Sequence, residues 1–125
     1  MIIMVNLDEI KSNKYISLET YRKNGQPVQT PVWFVIKENL IYVVTRSKTG
    51  KVKRLKNNPQ VKVALCTMKG NITGEWISGT VKILDQTQTN EAVKMRDKKY
   101  GFIAKIAKFL SKSKGEFFAF TIKIN

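Results

Sequence analysis

Thr45-Arg46-Ser47-Lys48-Thr49-Gly50-Lys51-Val52-Lys53-Arg54 is the stretch on which the reading of this chain turns. A strand-like apolar run, Leu40 to Val44, leads into it. A short helix-like run leaves it and stops near Asn58-Pro59. From Thr45 to Lys56 there are six basic residues and no acidic one. A strand that becomes a helix through such a segment is a place to hold a phosphate. The first N–H groups of a helix lack intrahelical partners, and the helix dipole adds positive potential there. Lys and Arg side chains then close around the anion. The segment is not a Walker-type loop, because the G-x-x-x-x-G-K-[ST] spacing is absent.

Working outward, Leu7 to Asn13 reads as a short helix capped by Asn6. Tyr15 to Tyr21 alternates Ile16, Leu18 and Thr20 against Ser17 and Glu19, the period of a half-buried strand. Asn24-Gly25 is a hairpin signal, and Val28 to Ile36 reads as the returning second strand. Leu40 to Thr45 is the third strand and Val61 to Thr67 the fourth. Ile72 to Leu84 is the fifth, with Gly74 and Gly79 marking bulges or a sharply coiled strand. Asn90 to Lys112 has helical periodicity, divided at Gly101. The last strand, Glu116 to Ile124, places Phe118, Phe120, Ile122 and Ile124 on one side. Six short antiparallel strands that must hide their edges favour a barrel.

The chain has 125 residues, the size of one domain spanning 1–125, and 42% of them are apolar. A formal charge of +14 suits nucleic acid, an anionic surface or a phosphorylated or polycarboxylate ligand. The single cysteine, Cys66, excludes an internal disulfide framework and reads as a small buried hydrophobe. With no histidine, the chain lacks the usual general base and the usual metal ligand, and no metal site is expected. Met1-Ile2-Ile3-Met4-Val5 is too short for a signal sequence or a span. The expectation is a cytoplasmic protein without a membrane partner.

The ordered set of a short helix, an Asn-Gly hairpin, Gln29-Thr30-Pro31-Val32-Trp33-Phe34, then Thr45 to Lys51, then Leu55 and Asn58-Pro59 before Val61 to Leu65 resembles a known family. It is similar to the pyridoxamine 5'-phosphate oxidase-like split barrels that bind FMN or the deazaflavin coenzyme F420, and most of all to their small single-domain, F420-dependent branch. The resemblance implies a six-stranded antiparallel split β-barrel of Greek-key type with a few flanking helices. It implies a homodimer with a cofactor at the interface. By the same resemblance Gln29, Thr30, Pro31, Val32 and Trp33 border the ring, and Thr45, Thr49, Gly50 and Lys51 border the phosphate. Lys48, Lys53 and Arg54 extend that basic set. The chain lacks the C-terminal extension and the Arg/His set with which the oxidase proper reads pyridoxal phosphate.

Bland readings stand beside these. Pro31 belongs at a sheet edge whether or not a ligand is near. Trp33 and Trp76 fill cores as readily as they wall a planar ligand. The basic residues from Asn90 to Lys114 form a solvated helix face, or they meet the acidic tail of F420. The leading function is transfer of hydride from reduced F420 to a small organic acceptor, with no catalytic side chain identified. The alternatives are an FMN-dependent oxidoreductase of the same fold, a carrier or sensor without turnover, and a nucleic-acid-binding barrel.

Overall fold

In the computed structural model, which describes residues 6–125, seven antiparallel strands form one sheet. They are β1 (Ile16–Tyr21), β2 (Pro27–Val32), β3 (Val35–Lys37), β4 (Leu40–Arg46), β5 (Gln60–Leu65), β6 (Ile77–Ile83) and β7 (Phe117–Ile124). The run Met1 to Val5 lies outside the described residues. Helix α1 (Gly50–Asn57) joins β4 to β5, and α2 (Gln86–Tyr100) with α3 (Phe102–Leu110) joins β6 to β7. Leu7–Ile10 and Lys112–Lys114 are single 3-10 turns. The spatial order β2-β1-β5-β6-β7-β4-β3 departs from the chain order in the Greek-key manner.

That order decides the architecture. The edges β2 and β3 lie at opposite ends of the sheet, yet only Trp33 and Phe34 separate them in the chain. From Val32 to Val35 a chain can reach roughly 11 Å at most. The sheet must therefore curl until its edges nearly meet, which makes it a split barrel. The expected second strand, Val28 to Ile36, is in fact two strands. Its first half pairs with β1 and its second with β4, so the count rises from six to seven. Val32 to Ile36 is a continuous apolar run with no turn residue, so the break arises from pairing that is remote in sequence.

The curled sheet encloses a core of Ile16, Leu18, Ile41, Val43, Val61, Phe120 and Ile122, plugged by Phe34 and by Leu55 of α1. Burying these side chains, at about 1.5–3 kcal/mol each, is the main favourable term. The backbone of β6 comes close to β7 at Gly79, where an added Cβ would stand 2.6 Å from Ile122 Cγ2. Pairing there stays in unbroken register, so Gly79 marks a coiled strand, not a bulge. The strand expected at Ile72 to Leu84 is β6, which begins only at Ile77. Cys66 is half-buried, and burial pushes its thiol pKa up, away from a reactive thiolate.

A side chain from α2 holds the crossover. The Tyr100 hydroxyl accepts from Phe34 N–H at 3.0 Å. It donates to the Lys14 carbonyl at 2.7 Å, with the Phe34 carbonyl at 3.1 Å as the alternative acceptor. Its ring stacks on Trp33, with centroids 4.3 Å apart and planes 9° from parallel. Tyr100→Phe keeps the stack and leaves the buried Phe34 N–H without its partner. Unfolding free energy should fall by about 1–3 kcal/mol, seen as a lower urea midpoint at unchanged slope. An unchanged midpoint would mean that the hydroxyl does not hold the crossover.

Candidate functional site

A cleft of about 310 Å³ opens beside the crossover. Pro31, Val32 and Trp33 come to it from β2 and the crossover, and Val44, Thr45 and Arg46 from the end of β4. Thr49 and Lys51 come from the start of α1, Tyr15 from ahead of β1, and Phe117 from β7. Arg96 of α2, Ala107 of α3, Ser111 and Lys114 complete the lining. Four of these residues are cationic and none is acidic.

The basic segment is shaped by backbone ties to the chain before β7. Ser47 N–H donates to the Glu116 carbonyl at 2.8 Å and Lys48 N–H to the Lys114 carbonyl at 2.9 Å. Gly115, at φ +94°, lies against Ser47 and Lys48 where a side chain would not fit. Thr49 is the N-cap of α1, but its hydroxyl donates to the Arg46 carbonyl at 3.0 Å and caps no amide. The first turn of α1 therefore has no side-chain cap and no acidic residue. Such a turn attracts an anion.

Lys51 Nζ donates to Thr45 Oγ1 at 3.1 Å, and no carboxylate is in salt-bridge range among the described residues. Burial lowers its pKa from the usual lysine value, and the charges of Lys114 and Arg54 lower it further. This is a partly desolvated cation among cations, the environment that an anionic ligand would relieve. Arg46 is held rigidly. It donates to Ser111 Oγ at 3.0 Å, the Gly115 carbonyl at 3.2 Å and the Lys108 carbonyl at 3.0 Å, and lies 3.8 Å from the centre of the Phe117 ring. Arg96 is buried, pairs with Asp97 at 3.1 Å and lies 5.0 Å from the same ring.

Of the residues assigned from the sequence, the structure brings Pro31, Val32, Trp33, Thr45, Thr49 and Lys51 into one cleft. Gln29, Thr30, Lys48, Gly50, Lys53 and Arg54 do not line it. Gln29 donates to Glu19 across the β1–β2 pair at 3.0 Å, and Arg54 donates to Thr20 of β1 at 2.7 Å. Lys48 and Lys53 are exposed. The sequence names Arg46, Arg96 and Lys114 only as members of basic runs, and gives Tyr15, Ser111 and Phe117 no site role. A signal for Arg96 was present: with Thr89, Ala92, Val93 and Tyr100 it forms the buried stripe of α2, and an arginine on an apolar stripe is rarely idle.

A sequence model of the pyridoxamine 5'-phosphate oxidase family matches residues 6–125. The chain belongs to that family. Similar solved structures include an F420 reductase, at 15% identity and a TM-score of 0.68, covering 99% of this chain and 96% of that one. Another is HutZ, the heme storage protein of Vibrio cholerae, at 15% identity and a TM-score of 0.72, covering 95% and 87%. A third is the conserved hypothetical protein Rv2991 of Mycobacterium tuberculosis, at 17% identity and a TM-score of 0.74, covering 99% and 82%. At these identities the likeness speaks for the fold. A comparison with curated protein sequences finds no match. No helix among the described residues is long and apolar enough to cross a membrane.

Beside the cleft, Lys99 Nζ donates to the Phe34 carbonyl at 2.7 Å and lies 4.0 Å from the centre of the Phe34 ring. Burial, and secondarily Lys14, bring its pKa down to about 8, from 10.5. The folded state thus binds this proton more weakly than the unfolded chain does. Protonated Lys99 costs stability below pH 8, and the cost is relieved as pH rises from 8 towards 10.5. Across that window the parent should gain stability relative to Lys99→Met in paired denaturation curves. Parallel pH profiles would contradict it.

Proposed function

We propose that the cleft binds a phosphorylated flavin-type cofactor, coenzyme F420 in the first instance, and that the chain carries hydride between it and a small organic acceptor. One observation carries this reading: Trp33, stacked from behind on Tyr100, meets four cations in one cleft whose lining holds no carboxylate, and of these only Arg96 has a carboxylate partner, Asp97 outside the lining. A planar ring has an aromatic wall there, and a phosphate has Lys51, Thr45 and the uncapped start of α1.

The residues fit such a ligand in size as well as charge. Ligand sites usually measure about 300–1,000 Å³, so a cleft of about 310 Å³ takes part of a flavin-sized molecule. A second copy of the chain closing over the cleft would supply the rest, and this supports a homodimer with the ligand at its interface. When bound, the cofactor supplies two-electron hydride chemistry. The chain's own part is to anchor the phosphate, align the ring against Trp33 and exclude water. Tyr100 is not placed to donate a proton there: it does not line the cleft, and its hydroxyl donates to the Lys14 carbonyl.

The charge of +14 favours F420, whose tail beyond the phosphate is acidic, over FMN with its phosphate alone. The F420 reductase among the similar structures supports the same choice. Likeness to a heme storage protein speaks for the fold, and the chain has no histidine, the usual heme ligand, so the flavin-type reading is preferred.

Protein purified from a host that makes both cofactors should release a chromophore on denaturation whose absorbance identifies it as F420. Release of FMN instead would keep the site and change the cofactor. Lys51→Met should weaken binding by about 1.5–3 kcal/mol, roughly one to two decades in Kd. Equal affinity in parent and variant would remove the phosphate assignment. Reduction of an acceptor by protein loaded with reduced cofactor separates an enzyme from a carrier.

A further inference from the structure

Helix α3 is built inside out. Ala104 is fully buried and Ala107 half-buried, so α3 rests on the body through small residues. Its large side chains point away: Phe102 is 75% exposed, Ile103 60%, Ile106 44%, Phe109 70% and Leu110 72%. At 100° per residue these five fall within an arc of about 120°, opposite Ala104. Buried alanines beneath exposed phenylalanines invert the usual order, and so broad an apolar patch marks an interaction surface.

The surroundings of the patch say what covers it. From Lys98 to Gly115 there is no acidic residue. Lys98, Lys105 and Lys112 are exposed beside or just beyond the helix. The neighbouring carboxylate, Asp97, is already engaged by Arg96 at 3.1 Å and Lys108 at 3.5 Å. A second copy packing its α3 on this α3 about a two-fold axis would bring lysines against lysines with no carboxylate between them. An anionic lipid surface answers both features: its headgroups take the ammonium groups, and its acyl boundary takes the apolar arc.

We propose that α3 docks this protein onto anionic membrane surfaces, lying in the plane of the interface with Phe102, Ile106, Phe109 and Leu110 inserted and Lys105 and Lys112 at headgroup level. The expectation of no membrane partner rested on the lack of a span, and a helix lying flat needs none. The surface is separate from the cofactor reading, because α3 turns Ala107 towards the cleft and its large residues away from it.

The test is co-sedimentation of the full chain with vesicles of phosphatidylcholine alone and with vesicles of phosphatidylcholine and phosphatidylglycerol in equal parts. The protein should pellet with the anionic vesicles only, and high salt should release it. Phe109→Ser/Leu110→Ser should lower the partition coefficient by roughly ten- to a hundredfold. Lys105→Glu/Lys112→Glu, which changes no apolar residue, should lower it by about tenfold or more. Light scattering should give both variants the oligomeric state of the parent. Failure to pellet with anionic vesicles would overturn the proposal. So would pelleting that neither variant weakens, or loss of a dimer in Phe109→Ser/Leu110→Ser, which would give the face to a second copy.

Discussion

The crossover at Trp33-Phe34 is the constraint on which the rest of the structure hangs. Two residues join the opposite edges of a seven-stranded sheet, so the sheet has to curl. Such a bend costs backbone hydrogen bonds, and Tyr100 restores them by serving Phe34 N–H and the Lys14 carbonyl together. The same ring fixes the plane of Trp33. Closure of the barrel and orientation of the cleft's aromatic wall are thus one event, made by one side chain of α2. Pro31 fits this logic, because β2 is an edge strand and a missing N–H there breaks no further ladder.

Charge at the cleft works against the fold and for a ligand. Arg46, Lys51, Arg96 and Lys114 converge without a carboxylate in the lining. A cation desolvated like Lys51 lowers the stability of the ligand-free chain. Sites of this kind are kept for binding, with stability supplied elsewhere. Here it comes from the aliphatic core and from a β7 buried on both faces, with Phe120 and Ile122 in the barrel and Ala119 and Thr121 on the opposite face, over which α2 packs. Arg46 shows how rigidity is obtained: its three donors tie β4 to the end of α3 and to the chain before β7.

Local signals in the sequence carried much of this. The Asn24-Gly25 hairpin, the alternation of β7, the strand-to-helix junction at Thr49-Gly50 and the division at Gly101 are all short-range features, and each lies where the residues put it. What was not legible depends on partners distant in the chain. Val28 to Ile36 looks like one strand until its two halves are seen to pair with different neighbours. The start of α2 carries its own local signal. Asp85 and Gln88 form a capping box, which begins the helix at Gln86 instead of Asn90. Lys51 could be chosen from its junction, whereas Tyr15, Arg96 and Lys114 reach the cleft only through the curl of the sheet. The exposed arc of α3 hid in plain periodicity, since a helical stripe does not say which side is inward.

The most direct measurement is the emission of Trp33 in a Trp76→Phe background during titration with oxidised F420, and with FMN for comparison. Trp33 stands in the cleft and is stacked on one side only by Tyr100. A ring bound against it should quench its emission saturably, with quenching lost or shifted to higher concentration in Lys51→Met. Emission that stays constant while either cofactor binds would place the ligand elsewhere and contradict the account.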